Sequence, residues 1–299
     1  MRFAAFAFAL AGATLAPPAQ AQHAQTSAQT IALDMSGARP AVSMRINGGA
    51  PELWVFDTGA MGAVMNMDRA QALHLAHEGD VRIGSPAGGT PQEGWLTTLT
   101  NVDAGGVIIA SMRVVAAPAI MPDRTGVFSP NVFRGQLVTF DFGHAQVRIS
   151  AKNAATLPRG AATPYLGNGP HSLPAIQVTL GSQSWTGHID TGAPGGLTFP
   201  YTMASSLPLA APPTLSGHAR FVDGVHDRYH AQINGTVAVG PLTLVNPDIE
   251  FIDGLPNLNI GMGLLTQMTI TLDPEAQRDW ALANPSASQV SPPAQQAGH

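Results

Sequence analysis

The tetrapeptide Asp-Thr-Gly-Ala occurs twice in this chain, at residues 57–60 and 190–193, and its two copies lie in matched surroundings. A single Asp-Thr-Gly is ordinary turn chemistry, because Asp bonds its own downstream backbone and Gly supplies positive φ. At average residue usage it arises by chance in about one chain of this length in twenty. The flanking pattern is what constrains the fold. Before the first copy, in "AVSMRINGGAPELWVF", Val42, Met44 and Ile46 alternate, Asn47-Gly48-Gly49 turns, and Leu53 to Phe56 forms a buried run. Before the second, in "PAIQVTLGSQSWTGHI", Ile176, Val178 and Leu180 alternate ahead of a Gly181-Ser182 turn and a return strand through Trp185. Each predicts a hairpin whose second strand ends on the Asp. An apolar strand start follows each copy (Val64-Met65, Leu197-Thr198), then a short helical segment, Asp68 to Leu75 in one case and Tyr201 to Leu207 in the other.

A third correspondence lies near the end of each half. "LNIGMGLLTQMTITLD" (258–273) and "GVFSPNVFRGQLVTFD" (126–141) share one plan, with Gly261 against Ser129, Leu265 against Phe133 and Asp273 against Asp141. Two similar β-rich lobes follow, residues 30–152 and 171–283, joined by an exposed linker over 153–170 whose Pro, Gly and Ala content suits a connection.

Composition narrows the function. Residues 1–21 carry Arg2, an apolar core from Phe3 to Leu15 and Ala19-Gln20-Ala21, the pattern of a secretory signal peptide, so a periplasmic or extracellular protein without membrane insertion is expected. The chain has no Cys, which removes disulfides, thiol nucleophiles and thiolate metal sites. Charged residues are 11% of the chain and the 14 basic ones are scattered, which disfavours nucleic acid. Frequent Gly and Pro between short apolar runs favour an all-β protein. Residues 284–299 lack core-forming residues and are expected to be a disordered tail.

The order of hairpin, DTGA, helix, loop and "IGMGLLTQ" segment resembles the retropepsin-like aspartic proteases, and its double occurrence resembles the bilobal pepsin-like arrangement; exported bacterial members of this group are known. The resemblance covers both lobes. It implies an all-β, bilobal acid-protease fold: two closed, barrel-like lobes with short helices, each giving one Asp to a shared cleft. The expected activity is aspartic-type endopeptidase, on a peptide or protein substrate, with no cofactor and no metal, and a monomer suffices to assemble the site. Asp57 and Asp190 are then the catalytic pair. Two carboxyls sharing one proton can activate a water and protonate a carbonyl oxygen. Thr58 and Thr191 would bond across the lobe interface. Gly59 and Gly192 would let the backbone turn near the carboxylates. Ala60 and Ala193 stand where pepsin-like enzymes often carry a hydroxyl that lowers a carboxylate pKa, so a higher-titrating dyad is expected. Flap candidates are residues 82–96, with Gly88, Gly89 and Trp95, and residues 216–233, with Asp223-Gly224 as the turn.

Some positions depart from the pattern or invite other readings. Ser129-Pro130 replaces the family's Gly and its neighbour, which puts the geometry beneath the first Asp loop in question, and Pro194 follows the second DTGA directly. His226 and His230 are spaced H-x-x-x-H with His218 nearby, but no acidic residue is placed to complete a metal site, and solvated flap residues are the expectation. His188 shares a strand face with Asp190. Trp54 and Trp185 are assigned to the lobe cores, and Asp248, Glu250 and Asp253 to an exposed strand and turn. Two readings remain beside the enzyme: a noncatalytic peptide-binding protein of the same fold, and a structural envelope β protein.

Overall fold

Alternation of apolar and polar residues becomes alternation of burial in the strands that lead to each Asp. Ala41–Ile46 buries Val42, Met44 and Ile46 and exposes Ser43 and Arg45. It pairs antiparallel with Glu52–Phe56 through a turn at Asn47 and Gly48, both at positive φ. In the second half Ala175–Leu180 pairs in the same way with Gln183–Ile189 around Gly181. The short strands that follow are Ala63–Asn66 and Leu197–Pro200, and the helical segments after them are an α-helix at Met67–Ala72 and a 3-10 helix at Tyr201–Ser206. The computed structural model describes residues 28–285 except 86–87, 119–122, 168, 170–171 and 222–223. The predicted signal peptide, Asp223 and residues 286–299 of the predicted tail lie outside the described residues.

The architecture is the all-β one expected. In the first lobe the strand order is Ala41–Ile46, Glu52–Phe56, Gly126–Phe128, Ala63–Asn66, Val107–Ala117, Gly88–Ala104 and Gly79–Ser85. Pairing of Met44 with Ala104 joins the first of these to the sixth and closes a ring. The second lobe repeats this order, from the Thr214–Phe221 and Gly224–Gln232 hairpin through Asp248–Ile252, Leu197–Pro200, Asn259–Ile260, Gln183–Ile189 and Ala175–Leu180 to Thr236–Val239 and Leu242–Val245. One difference separates the two. Gly88–Ala104 and Val107–Ala117 are long strands that run the length of two shorter ones in the second lobe, where a break near Gly235, at φ 142°, interrupts the first. Closed pairing leaves few free edges, which is how such sheets avoid joining with other chains.

A third sheet joins the halves, in the order Gln29–Ala32, Gln146–Ala151, Gln136–Asp141, Met268–Asp273, Arg278–Ala283 and Thr163–Pro164. At its centre Thr139 and Thr271 lie opposite one another with hydroxyls 3.0 Å apart. Apolar side chains on the inner faces form the core, with Phe56 stacked on Phe128 at 4.2 Å and Phe199 against Phe251. Trp54 is fully buried in it and Trp185 packs edge-on to Phe199, as assigned.

Two boundary expectations need correction. The linker is not wholly exposed, since Thr163–Pro164 pairs with Asp279 and Arg278 and Tyr165 is buried. Its backbone finds ladder partners that an isolated Pro-Gly-Ala stretch does not announce. Asn284, assigned to the tail, is anchored: its N–H donates to the Gln267 carbonyl and its side-chain oxygen accepts from Thr269 Oγ1 at 2.8 Å.

Candidate active site

Each Asp is delivered by a strand that runs parallel to a short partner from the end of its own half. Glu52–Phe56 lies beside Gly126–Phe128, and Gln183–Ile189 beside Asn259–Ile260. The last ladder bonds place the loops: Asp57 N–H donates to Phe128 O, and Asp190 N–H to Ile260 O, both at 2.9 Å. Beyond them the chain turns into the opposite lobe. Thr58 N–H donates to Thr191 Oγ1 and Thr191 N–H to Thr58 Oγ1, each at 3.0 Å. The same hydroxyls donate onward, Thr58 to Ile189 O and Thr191 to Phe56 O, each at 2.7 Å. Both threonines are fully buried, so these four bonds are sheltered from water.

The glycines then fold the loops back. Gly59 N–H donates to Asp57 Oδ1 at 2.7 Å and Gly192 N–H to Asp190 Oδ1 at 2.8 Å. Each also faces the other lobe's acid: a Cβ on Gly59 would fall 2.6 Å from Asp190 Oδ1, and one on Gly192 2.5 Å from Asp57 Oδ2. Only a residue without a side chain fits either place. The two carboxyls therefore meet between the loops.

Electrostatics follow from this closeness. Burial, then the adjacent Asp190 charge, pushes the Asp57 carboxyl up to about 8, against the opposing pull of the Gly59 N–H and, more weakly, of Arg39. Two carboxyls in contact cannot both ionise readily, so the pair keeps one proton well above the ordinary carboxylate range. Arg39 belongs to the first half yet donates from Nε to Gly192 O at 2.5 Å, placing a cation behind the second loop.

Ala60 and Ala193 have no side-chain donor to offer the carboxylates. At Asp190 a donor arrives from elsewhere: Asn259 Nδ2 to Asp190 Oδ2 at 2.7 Å. Neither Arg39 nor Asn259 was singled out from the sequence. Aligning "LNIG" with "GVFS" sets Asn259 against Val127, and an amide replacing a valine in a strand was the available signal.

Beneath the loops the lobes differ. In the second, Gly261 N–H donates to Gly196 O, Met262 N–H to Ala193 O and Gly263 N–H to Gly195 O, and a Cβ on Gly261 would sit 2.4 Å from Gly195 O. Pro194 thus sits in a loop tied down on both sides. In the first lobe Ser129 occupies the matching place, and Pro130, where Met262 stands, has no N–H to give. Ser129 Oγ instead caps the 3-10 turn Pro130–Phe133 by accepting from Asn131 N–H, and Asn131 Nδ2 reaches Met61 O at 3.2 Å. The loop after Asp57 is held less tightly, but Thr58 and Gly59 keep their bonds. A cavity of about 720 Å³ opens beside it, lined by Met61, Arg113, Asn131, Arg134 and Tyr165. Neither Asp lines that cavity.

Both flap candidates are hairpins. Gly79–Ser85 pairs with the start of Gly88–Ala104, which places Gly88 and Gly89 just past the tip. Trp95 sits lower, at the base opposite Asp80, with its ring 5.3 Å from His77 and packed against the core. That position corrects its assignment to the flap, and the cause is the length of the strand, which carries Trp95 well away from the turn. In the second lobe Thr214–Phe221 pairs with Gly224–Gln232, with Gly224 opening the return strand. Its histidines take separate partners: His218 with Asp227, His226 with Asp253 O and His230 with Asp248. Among the described residues no group of three or more acids and histidines could hold a metal ion.

Residues 42–132 match the family model of the aspartyl proteases. That span begins in the hairpin before Asp57 and ends in the turn at Ser129-Pro130. No curated protein matches the chain.

Proposed function

We propose, from the aspartyl-protease likeness of the first lobe and the meeting of two Asp-Thr-Gly loops, that this protein is an exported aspartic-type endopeptidase. The observation that carries the reading is the reciprocal Thr58–Thr191 bonding, which holds Asp57 and Asp190 against one another from opposite lobes. In this reading a water between the carboxyls attacks the peptide carbonyl carbon. The ionised carboxyl takes the water proton while the protonated one gives its proton to the carbonyl oxygen, leaving a neutral tetrahedral diol. Collapse breaks the C–N bond as the protonated carboxyl gives its proton to the leaving nitrogen and the ionised carboxyl takes the proton of one diol hydroxyl, leaving a carboxylic acid and an amine. The dyad then holds its single proton again.

The raised Asp57 carboxyl supports this chemistry, because an acid that keeps its proton to about pH 8 can act outside strongly acidic surroundings. One chain supplies both carboxyls, so a monomer suffices. The hairpins of the two lobes are the elements suited to cover an extended peptide and exclude water.

Turnover of a mixed peptide library at pH 4 to 7 is the test. Cleavage by the mature protein that is abolished by Asp57→Asn and by Asp190→Asn supports the enzyme. Tight binding of a pepstatin-type inhibitor with no turnover would leave a peptide-binding protein, and neither binding nor turnover would reject both.

A further inference from the structure

The two half-sites are not equivalent in the strand pair directly behind each Asp. In the first lobe the facing residues are Val55 and Val127; at the same places in the second they are His188 and Asn259. A pair of valines costs nothing to bury, whereas an imidazole and an amide must be hydrogen-bonded or destabilise the sheet. Here both are left partly unmet: among the described residues, His188 Nε2 and Asn259 Oδ1 are buried with no partner. Packing does not explain such a pair. The one bond that Asn259 does make is to the reacting group, Nδ2 to Asp190 Oδ2 at 2.7 Å, while the Gly192 N–H takes Oδ1 at 2.8 Å. Both Asp190 oxygens thus accept from fixed donors. Among the described residues Asp57 accepts from Gly59 N–H alone, through Oδ1, and Val127 has nothing to offer its second oxygen.

We propose that Asn259 is a positioning residue that makes the dyad asymmetric, fixing Asp190 as the ionised carboxylate that receives the water proton and Asp57 as the acid that protonates the carbonyl. A carboxylate can only accept, so a second donor favours the charged form at that site, and the shared proton moves to the oxygen with no donor. The inference rests on the protease reading for its catalytic consequence, though not for its electrostatic one.

The other charged groups around the pair do not impose the same order. Arg39, on the loop before Ala41–Ile46, approaches through Gly192 O and draws on Asp57. For His188, on the strand of Asp190, burial lowers the imidazole pKa against the opposing pull of Asp190. Glu250, near Gly195, is paired with Arg228 at 3.4 Å. The residue that separates the two carboxyls is the amide.

The experiment compares wild type with Asn259→Val, which installs the first-lobe residue, and Asn259→Thr, nearly the same shape with a hydroxyl donor. Carbon-13 NMR of the Asp carboxyls, assigned with Asp57→Asn and Asp190→Asn, follows protonation without requiring turnover. In wild type the carboxylate signal falls on Asp190 and the retained proton on Asp57. In Asn259→Val that preference is lost, because one donor to the charged form is gone, and Asn259→Thr recovers part of it. If turnover is present, the acidic limb of the pH–kcat profile shifts upward in Asn259→Val. An unchanged distribution of the proton in folded Asn259→Val, or the retained proton on Asp190 in wild type, overturns the inference. The peptide-library result with wild type judges the protease reading separately.

Discussion

Thr58 and Thr191 each donate a backbone N–H to the other's hydroxyl oxygen at 3.0 Å, and each hydroxyl proton goes to a carbonyl in the opposite lobe. This is the bond set that brings two acids 133 residues apart into contact, and it is buried on all sides. Thr191→Val removes two of the four bonds and leaves Thr58 N–H and Phe56 O without partners. We expect a loss of about 2–4 kcal/mol in unfolding free energy, read by urea denaturation, with Thr191→Ser recovering most of it. Peptide turnover should fall on the order of a hundredfold because the carboxyls lose their register.

Asp57 makes stability depend on pH in a definite direction. Its folded pKa lies near 8, above the ordinary value of 3.8, so between those values the native state holds a proton that the unfolded chain has released. Stability is then fullest below about pH 4 as far as this group is concerned and declines as pH rises toward 8. Asp57→Asn removes the dependence. Its melting temperature should exceed that of wild type at pH 8 and converge with it near pH 4.

Asp279 contributes with the same sign from a different place. It is fully buried in the third sheet, accepts from Ala175 N–H at 3.0 Å and has no partner for Oδ1 among the described residues. Burial pushes it up to about 8, with the Ala175 bond opposing. Asp279→Asn keeps an acceptor for Ala175 and no longer ionises, so it should gain on the order of a few kcal/mol at pH 8 and little at pH 4. Thermal melts across that range check it.

Asp273 behaves in the opposite way. Burial alone would raise its pKa, but Ala276 N–H, Lys152 and Arg278 together hold it below the ordinary carboxylate range. Its stabilisation is present above pH 4 and lost as pH falls through its lowered value. Lys152→Met removes a charge from a buried carboxylate and should cost about 2–3 kcal/mol at pH 7, diminishing below pH 4, by denaturant melts.

Gly261 and Ser129 occupy matching places and should differ widely in their sensitivity to substitution. Gly261→Ala forces a Cβ to within 2.4 Å of the Gly195 carbonyl and should cost about 3 kcal/mol or more, with loss of turnover. Ser129→Gly removes only a cap, for which glycine is nearly as good, and should change stability by a few tenths of a kcal/mol. Unfolding curves of the two variants make the comparison.

Much of this protein could be read locally. Alternation at Val42, Met44 and Ile46 and at Ile176, Val178 and Leu180 encodes hairpins, because strand periodicity is a property of neighbouring residues. The repeated Asp-Thr-Gly encodes the turn that folds each N–H back on its own carboxylate two residues away. What tertiary structure alone decided lies across distances that no local pattern spans. Arg39 reaches Gly192 over 153 residues, and Asn259 reaches Asp190 over 69. Ser129 was legible as a departure, but not that a side-chain cap would replace the backbone ties of Gly261 to Gly263. Trp95 looked like part of a flap until strand length set it at the base. The physical reason is the same in each case: periodicity and turn propensity are fixed by adjacent residues, whereas a donor is matched to a buried acceptor only after the sheets have closed and brought both out of water.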